Sequence, residues 1–293
     1  MTQLNEEVDS LTRTPLSGGI DRRRFLQAAV GSGFAAAVLP VQAQTVVHTD
    51  SDGLTAGPVT LTVGGQQVPV YRAQPAGGKN LPVILVVSEI FGVHEHIADV
   101  ARRFAKQGYL ALAPELFVRQ GDAHNAPSIP ELMQNIIAKV PDAQVMGDLD
   151  AVVAWAGENG GDTSRLGITG FCWGGRIVWL YSAHNPKVKA GVAWYGRLVG
   201  DKSALMPQQP IDLAPTLKTP VLGLYGAKDT GIPVATVEQM KAALAKAGNP
   251  SEFVIYPDAG HAFHADYRPS YVAADARDGW QRALAWFKGH GVA

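Results

Sequence analysis

Apolar positions along the chain follow two periods in turn, one of alternate residues and one of about 3.6 residues. In "PVTLTVGGQQVPVYRAQP" two alternating runs flank Gly64 and Gly65, which predicts a β-hairpin. "LPVILVVSEI" is a continuous apolar, β-branched run, the pattern of a strand buried on both faces. "EHIADVARRFAKQGY" has helical spacing and ends at Gly108, and "LALAPEL" predicts the next parallel strand. From Phe117 to Val140 the pattern loosens around Pro127 and Pro130, as in an insertion over one end of a sheet. Then come helix "DAQVMGDLDAVVAWAGE", strand "RLGITG", a helix from Trp173, strand "VKAGVAWY" and a loop from Gly200 to Pro220. That loop follows a strand end, so it is expected at the same edge of the sheet as the strand ends. Strand "PVLGLYGAKD", helix "VATVEQMKAALAKAG", strand "SEFVIYPDAG" and helix "SYVAADARDGWQRALAWFKGH" complete the chain. This alternation predicts an α/β fold: one mostly parallel central sheet with helices on both faces and an N-terminal hairpin.

Ahead of the hairpin the chain reads differently. "DRRRFLQAAVGSGFAAAVLPVQAQ" sets Arg22 and Arg23 before Phe25 and Leu26, followed by a run of small and apolar residues that closes on "VQA". This is the pattern of a twin-arginine export signal over residues 1–43, cleaved after Ala43. The apolar run is about a dozen residues, short of the ~20 that span a bilayer. The expected location is therefore the bacterial periplasm, with the twin-arginine machinery a partner during transport. Residues 44–57 are polar and read as a linker of low order, leaving 58–293 as one domain.

Composition narrows the functions. A net charge of -1 gives no electrostatic case for binding nucleic acid. With a single cysteine, no intramolecular disulfide is possible. The chain is expected to act as a monomer and to need no cofactor and no metal, since "HEH" at 94–96 has no third ligand at a recognisable spacing and reads as the opening of a helix.

The lone cysteine stands in "GITGFCWGGR", at a tight turn between a strand and a helix. Working residues of open parallel sheets gather past the carboxyl ends of strands. The polar residues there are Glu89, Cys172, Asp229 and His261. Nucleophile, acid and base come in the order Cys, Asp, His, the chain order of α/β-hydrolases with cysteine in place of serine. The glycines let the sulfur stand clear of the sheet, and the Trp173 N–H at the helix start can stabilise an oxyanion. A second donor is expected in the loop after "VILVVS", at Ile90. His261 would move the proton and Asp229 would orient it; His264, in the same loop, competes for the role of base. Glu89 is a candidate activator of the thiol, but a carboxylate can serve as its base only if burial raises its pKa. Phe91, Trp194, Tyr195 and Phe263 are candidate core or pocket walls. Other thiol acyl-transfer activity, a redox-sensing thiol or a non-catalytic binding protein on this scaffold are alternatives.

"SEIFGV", "PELFVRQG", "GFCWGGR", "LYGAKD" and "DAGHAFH" together resemble the dienelactone hydrolase (carboxymethylenebutenolidase) family, from about Val59 to Gly289. The resemblance implies a single-domain α/β-hydrolase with a Cys-Asp-His triad that opens cyclic enol-lactones through an acyl-thioester. It implies that Glu89 leaves an ion pair with an arginine to take the thiol proton when substrate binds. Arg119 matches the arginine that serves the substrate carboxylate. The second arginine of the family falls at Ala265. Either Arg268 serves from the neighbouring turn or the pocket reads no carboxylate there. The substrate expected is a small ester or lactone.

Overall fold

The structure is a computed structural model and describes residues 47–293; the expected export leader and the first residues of the expected linker lie outside them. Among the described residues a sheet runs in the order β1 (Leu54–Val63), β2 (Gln66–Pro75), β4 (Leu110–Pro114), β3 (Leu81–Val87), β5 (Gly161–Phe171), β6 (Val188–Trp194), β7 (Val221–Gly226), β8 (Glu252–Tyr256). β1 and β2 form the hairpin, and β2 joins β4 antiparallel. Every pairing from β4 to β8 is parallel. The strands predicted from periodicity are all present.

β3 lies at the centre, and Val83 through Val87 are fully buried, as a β-branched run covered on both faces requires. The helices are α1 (Glu95–Lys106), α2 (Ile129–Asn135), α3 (Asp142–Glu158), α4 (Trp173–His184), the short α5 (Pro210–Leu213), α6 (Val234–Lys246) and α7 (Ala273–Gly289). The insertion holds α2, which starts on a Ser128 side-chain cap, and one 3-10 turn. No helix among the described residues is long and apolar enough to cross a membrane.

The linker expectation is corrected from Val47 onward. β1 begins at Leu54, and the residues before it are strapped to α1. The Thr49 N–H donates to Asp99, Arg102 Nε donates to the Thr49 carbonyl at 2.7 Å, and Lys106 reaches Asp50 at 2.6 Å. The Val47 N–H donates to Asp266 at 2.9 Å. Polarity here marks a segment whose partners are charged side chains on a helix, and periodicity does not register such partners.

Candidate active site

Cys172 caps α4 at the end of β5 with φ 54° and ψ −114°, a backbone shape that a side chain adopts only under strain. The glycines around it are required by close approach. A Cβ on Gly170 would stand 2.4 Å from the Gly174 carbonyl oxygen, one on Gly174 2.3 Å from that of Val87, and one on Gly175 2.6 Å from that of Trp194. β3, β5 and β6 therefore meet the first turn of α4 backbone to backbone. This packing raises the cysteine at the turn, and the Cys172 N–H donates to the Trp194 carbonyl at 3.0 Å. The Trp173 N–H is the first of α4 and has no acceptor within its helix.

Asp229 follows β7, and one of its oxygens accepts the N–H groups of Gly231 and Ile232 at 2.9 and 3.1 Å. The other lies 2.7 Å from His261 Nδ1. Burial opposes ionisation of Asp229, yet the His261 charge and these hydrogen bonds hold its carboxyl below the usual range. Burial likewise works against a charged His261. The Asp229 carboxylate and the Cys172 sulfur outweigh it and raise the imidazole well above its ordinary value. His261 Nε2 is buried with no hydrogen-bond partner of good geometry, but close enough to Cys172 for the sulfur to affect it. The structure thus brings Cys172, His261 and Asp229 together in triad order. His264 does not compete. It packs between Phe171 and Trp194, with ring centroids 5.0 and 4.5 Å away. Burial, helped by the charges of His96 and Arg103, holds it neutral.

The turn after β3 carries Ile90 and packs on α4, because Gly174 also sits against the Ser88 carbonyl. Glu89 is buried beside it, and its Oε2 lies 3.1 Å from His94 Nε2. The Tyr267 hydroxyl donates weakly to Oε1 at 3.4 Å. The condition set for Glu89 as a base, a pKa raised by burial, is not met. Burial does push its pKa up, but the His94 hydrogen bond and the charges of His94 and His96 overcome it and bring the carboxyl to about 2. The Glu89 carboxylate also holds His94, a partner the family resemblance did not name. His94 does open α1, as "HEH" suggested, without capping it through its side chain. His96 pairs with Asp266 at 2.8 Å.

Tyr195 and Tyr267 are both buried within the electrostatic reach of Glu89, Cys172 and Arg268. Tyr195 lies edge-on to His261 at 5.1 Å, and its hydroxyl is buried without a partner. Arg268 stacks over Phe91 and Tyr267, with its guanidinium carbon 5.4 and 6.0 Å from the ring centroids. Tyr195 and Tyr267 thus share an electrostatic environment with the thiol, and Arg268 packs against one of them. Arg119 is placed differently. Its two terminal nitrogens grip Asp148 of α3 at 2.6 and 2.8 Å, and one also donates to the Val63 carbonyl at 3.1 Å. Its guanidinium fastens the hairpin to α3, a structural contact that the motif did not imply.

The Gly200–Pro220 loop reaches the predicted edge. The Asp142 N–H, at the start of α3, donates to the Leu205 carbonyl at 2.9 Å. Arg176, in the first turn of α4, holds Gln209 at 2.9 Å, the Gln208 carbonyl at 2.8 Å and Asp142 at 2.7 and 2.8 Å. Sequence reasoning missed His94 and Tyr267 as partners of Glu89. The only signal for them was their position, one at a helix start and one past a strand end.

Residues 68–291 match the dienelactone hydrolase family. A protein of Methylorubrum extorquens named "Putative carboxymethylenebutenolidase" is 59% identical, with all of both chains covered. One of the same name from Escherichia coli is 57% identical over 89% of this chain and 96% of its own. The crystal structure of a Klebsiella pneumoniae "Putative Dienelactone Hydrolase" superposes with a TM-score of 0.78 at 57% identity, covering 80% of this chain and 98% of that one.

Proposed function

This chain belongs to the dienelactone hydrolase family and is an α/β-hydrolase acting on lactone or ester bonds, and from that premise we propose that it works through Cys172 and an acyl-thioester. The observation that carries the reading is the contiguous set Cys172–His261–Asp229, with the imidazole held by Asp229 and Nε2 left without a partner beside the sulfur.

His261 Nε2 takes the thiol proton, and the sulfur attacks the carbonyl carbon. The N–H groups of Trp173 and Ile90 receive the charge that develops on the carbonyl oxygen. Collapse breaks the ester C–O bond, and the imidazolium returns its proton to the leaving oxygen; in a lactone that oxygen stays tethered to the acyl group. Water, deprotonated by His261, then attacks the thioester carbonyl. Sulfur leaves and regains the proton as the acid is released. Glu89 stays ionised at rest, held so chiefly by the His94 hydrogen bond. It takes a proton only when the His94 hydrogen bond is given up.

Tyr195, Tyr267, Phe91 and Arg268 form the pocket wall in this reading, with Arg268 the cation for a substrate carboxylate. We further propose export to the periplasm through the twin-arginine machinery, on the strength of Arg22–Arg23 and the apolar run behind them. Action as a monomer is supported by how few large apolar side chains are well exposed among the described residues, only Val47 and Leu205.

The test is turnover of cis- and trans-dienelactone, a neutral δ-lactone and p-nitrophenyl acetate by the mature protein beside Cys172→Ala. Turnover that vanishes in the variant is expected. Turnover that survives it would remove the thiol from the mechanism.

A further inference from the structure

The turn between β3 and α1 is gripped from outside by Glu115, the carboxylate of "PELFVRQG", to which the family resemblance assigned no role. Glu115 is the first residue after β4, and its own N–H is anchored to the Pro69 carbonyl of β2 at 2.8 Å. Its Oε2 accepts the Val93 N–H at 2.9 Å and lies 3.0 Å from His124 Nε2. The carboxylate lies flat on Gly92, where a Cβ would stand 2.7 Å from both oxygens, and Gly92 has φ +73°. The glycine is therefore needed twice, for its conformation and for the approach of Glu115.

Two further observations point to a role beyond packing. Glu115 Oε1 is buried with no hydrogen-bond partner, a costly arrangement for a carboxylate oxygen. His124 is also presented deliberately, since Asp122 accepts its N–H at 2.9 Å and the Asn125 side chain at 2.6 Å. Within the turn, the His94 N–H donates to the Gly92 carbonyl at 3.1 Å, and the His94 ring holds Glu89. Residues 89–94 are thus stitched end to end internally and held at their middle by Glu115.

We propose that Glu115 is a positioning residue for the oxyanion site: by fixing Gly92 and Val93 it keeps the Ile90 N–H aimed at the carbonyl oxygen above Cys172, with His124 steering the carboxylate. This rests on the thiol acyl-transfer reading above. An oxyanion donor works because it is in place before charge develops, and losing one costs about 10²–10³ in kcat. A donor that is only loosened costs less, so Glu115→Ala should lose about 10- to 100-fold.

The experiment measures kcat and KM for p-nitrophenyl acetate, and separately the rate at which iodoacetamide alkylates Cys172, a reaction that forms no oxyanion. The variants are Glu115→Ala, Glu115→Gln and Cys172→Ala in the full chain. Expected for Glu115→Ala is a lower kcat with KM and alkylation rate close to wild type. Glu115→Gln keeps an acceptor for the Val93 N–H and should restore most of kcat. A wild-type kcat in Glu115→Ala overturns the proposal, and so does an equal loss in alkylation, which would mean general damage to the pocket. Wild-type turnover that is indifferent to Cys172→Ala would instead sink the thiol reading itself, whatever Glu115→Ala does.

Discussion

His94 Nε2 and Glu89 Oε2 lie 3.1 Å apart, a contact between a buried carboxylate and a ring that is partly open to solvent. The pair decides whether Glu89 is a charge or an acid. Burial pushes the carboxylate's pKa up, and the His94 hydrogen bond and charge are the largest of the effects that bring it down.

His94→Ala should therefore destabilise the protein in a pH-dependent way. In the wild type the folded pKa of Glu89, about 2, lies below its ordinary 4.5. The stability it contributes is full above that ordinary value and is lost as pH falls through the folded one. The gap between wild type and variant should be widest at neutral pH, at most about 3 kcal/mol since His96 still acts on Glu89 in the variant, and should close in acid. Urea titrations between pH 7 and pH 3 would show it; a gap independent of pH would mean that His94 does not govern Glu89.

Asp229→Asn keeps the shape of the triad but leaves His261 free to take the other tautomer. A loss of about 10³-fold or more in kcat is expected, with the melting temperature little changed. Stopped-flow acylation and thermal melts on the same preparation would check both halves. A mild loss would mean that Asp229 is not the group that orients the base.

Glycines of the elbow and of a helix surface should behave in opposite ways. Gly175→Ala places a Cβ 2.6 Å from the Trp194 carbonyl oxygen, a backbone atom that cannot move aside, and should cost several kcal/mol, ~3 or more. Gly147→Ala, in α3 with nothing within 4 Å, should stabilise by about 0.5–1 kcal/mol. Paired denaturant titrations would read both. Equal effects would contradict the close packing of the elbow.

The two candidate arginines should part company in kinetics. Arg119→Ala breaks the grip on Asp148 and Val63, so lower stability with little change in KM is expected. Arg268→Gln should raise KM about tenfold for an anionic lactone and leave a neutral ester unaffected. Michaelis–Menten analysis on both substrates checks this. A KM effect confined to Arg119→Ala would return the substrate contact to the motif position.

The contrast between these arginines shows what the sequence could and could not reveal. Cys172, Asp229 and His261 were legible because each follows a strand whose apolar pattern is plain, and parallel strand ends share an edge. The β-α order followed from the same periodicity. What periodicity does not encode is who meets whom across elements. Arg119 sits in a matching motif, yet its partner Asp148 comes from a helix farther along the chain. Glu89 could serve as a base only if burial raised its pKa, and a hydrogen bond to a histidine five residues on pulls it the other way. The strap at 47–52 looked structureless because charged side chains, with no apolar stripe of its own, hold it down.

That strap ties the start of the described chain to its catalytic end. Asp266 receives the Val47 N–H at 2.9 Å, holds His96 at 2.8 Å and Arg103 at 3.0 Å, and lies in the segment between His261 and Arg268. The loop bearing His261 is thus moored to the first described residues, which follow the leader proposed above. Trimming of the N-terminus that stops short of Val47 leaves the mooring whole, whereas a ragged cut a few residues deeper would slacken the base loop without touching any catalytic group. Two batches that differ only in where their N-termini begin would then differ in turnover, and mass spectrometry of the intact chain belongs beside every activity measurement.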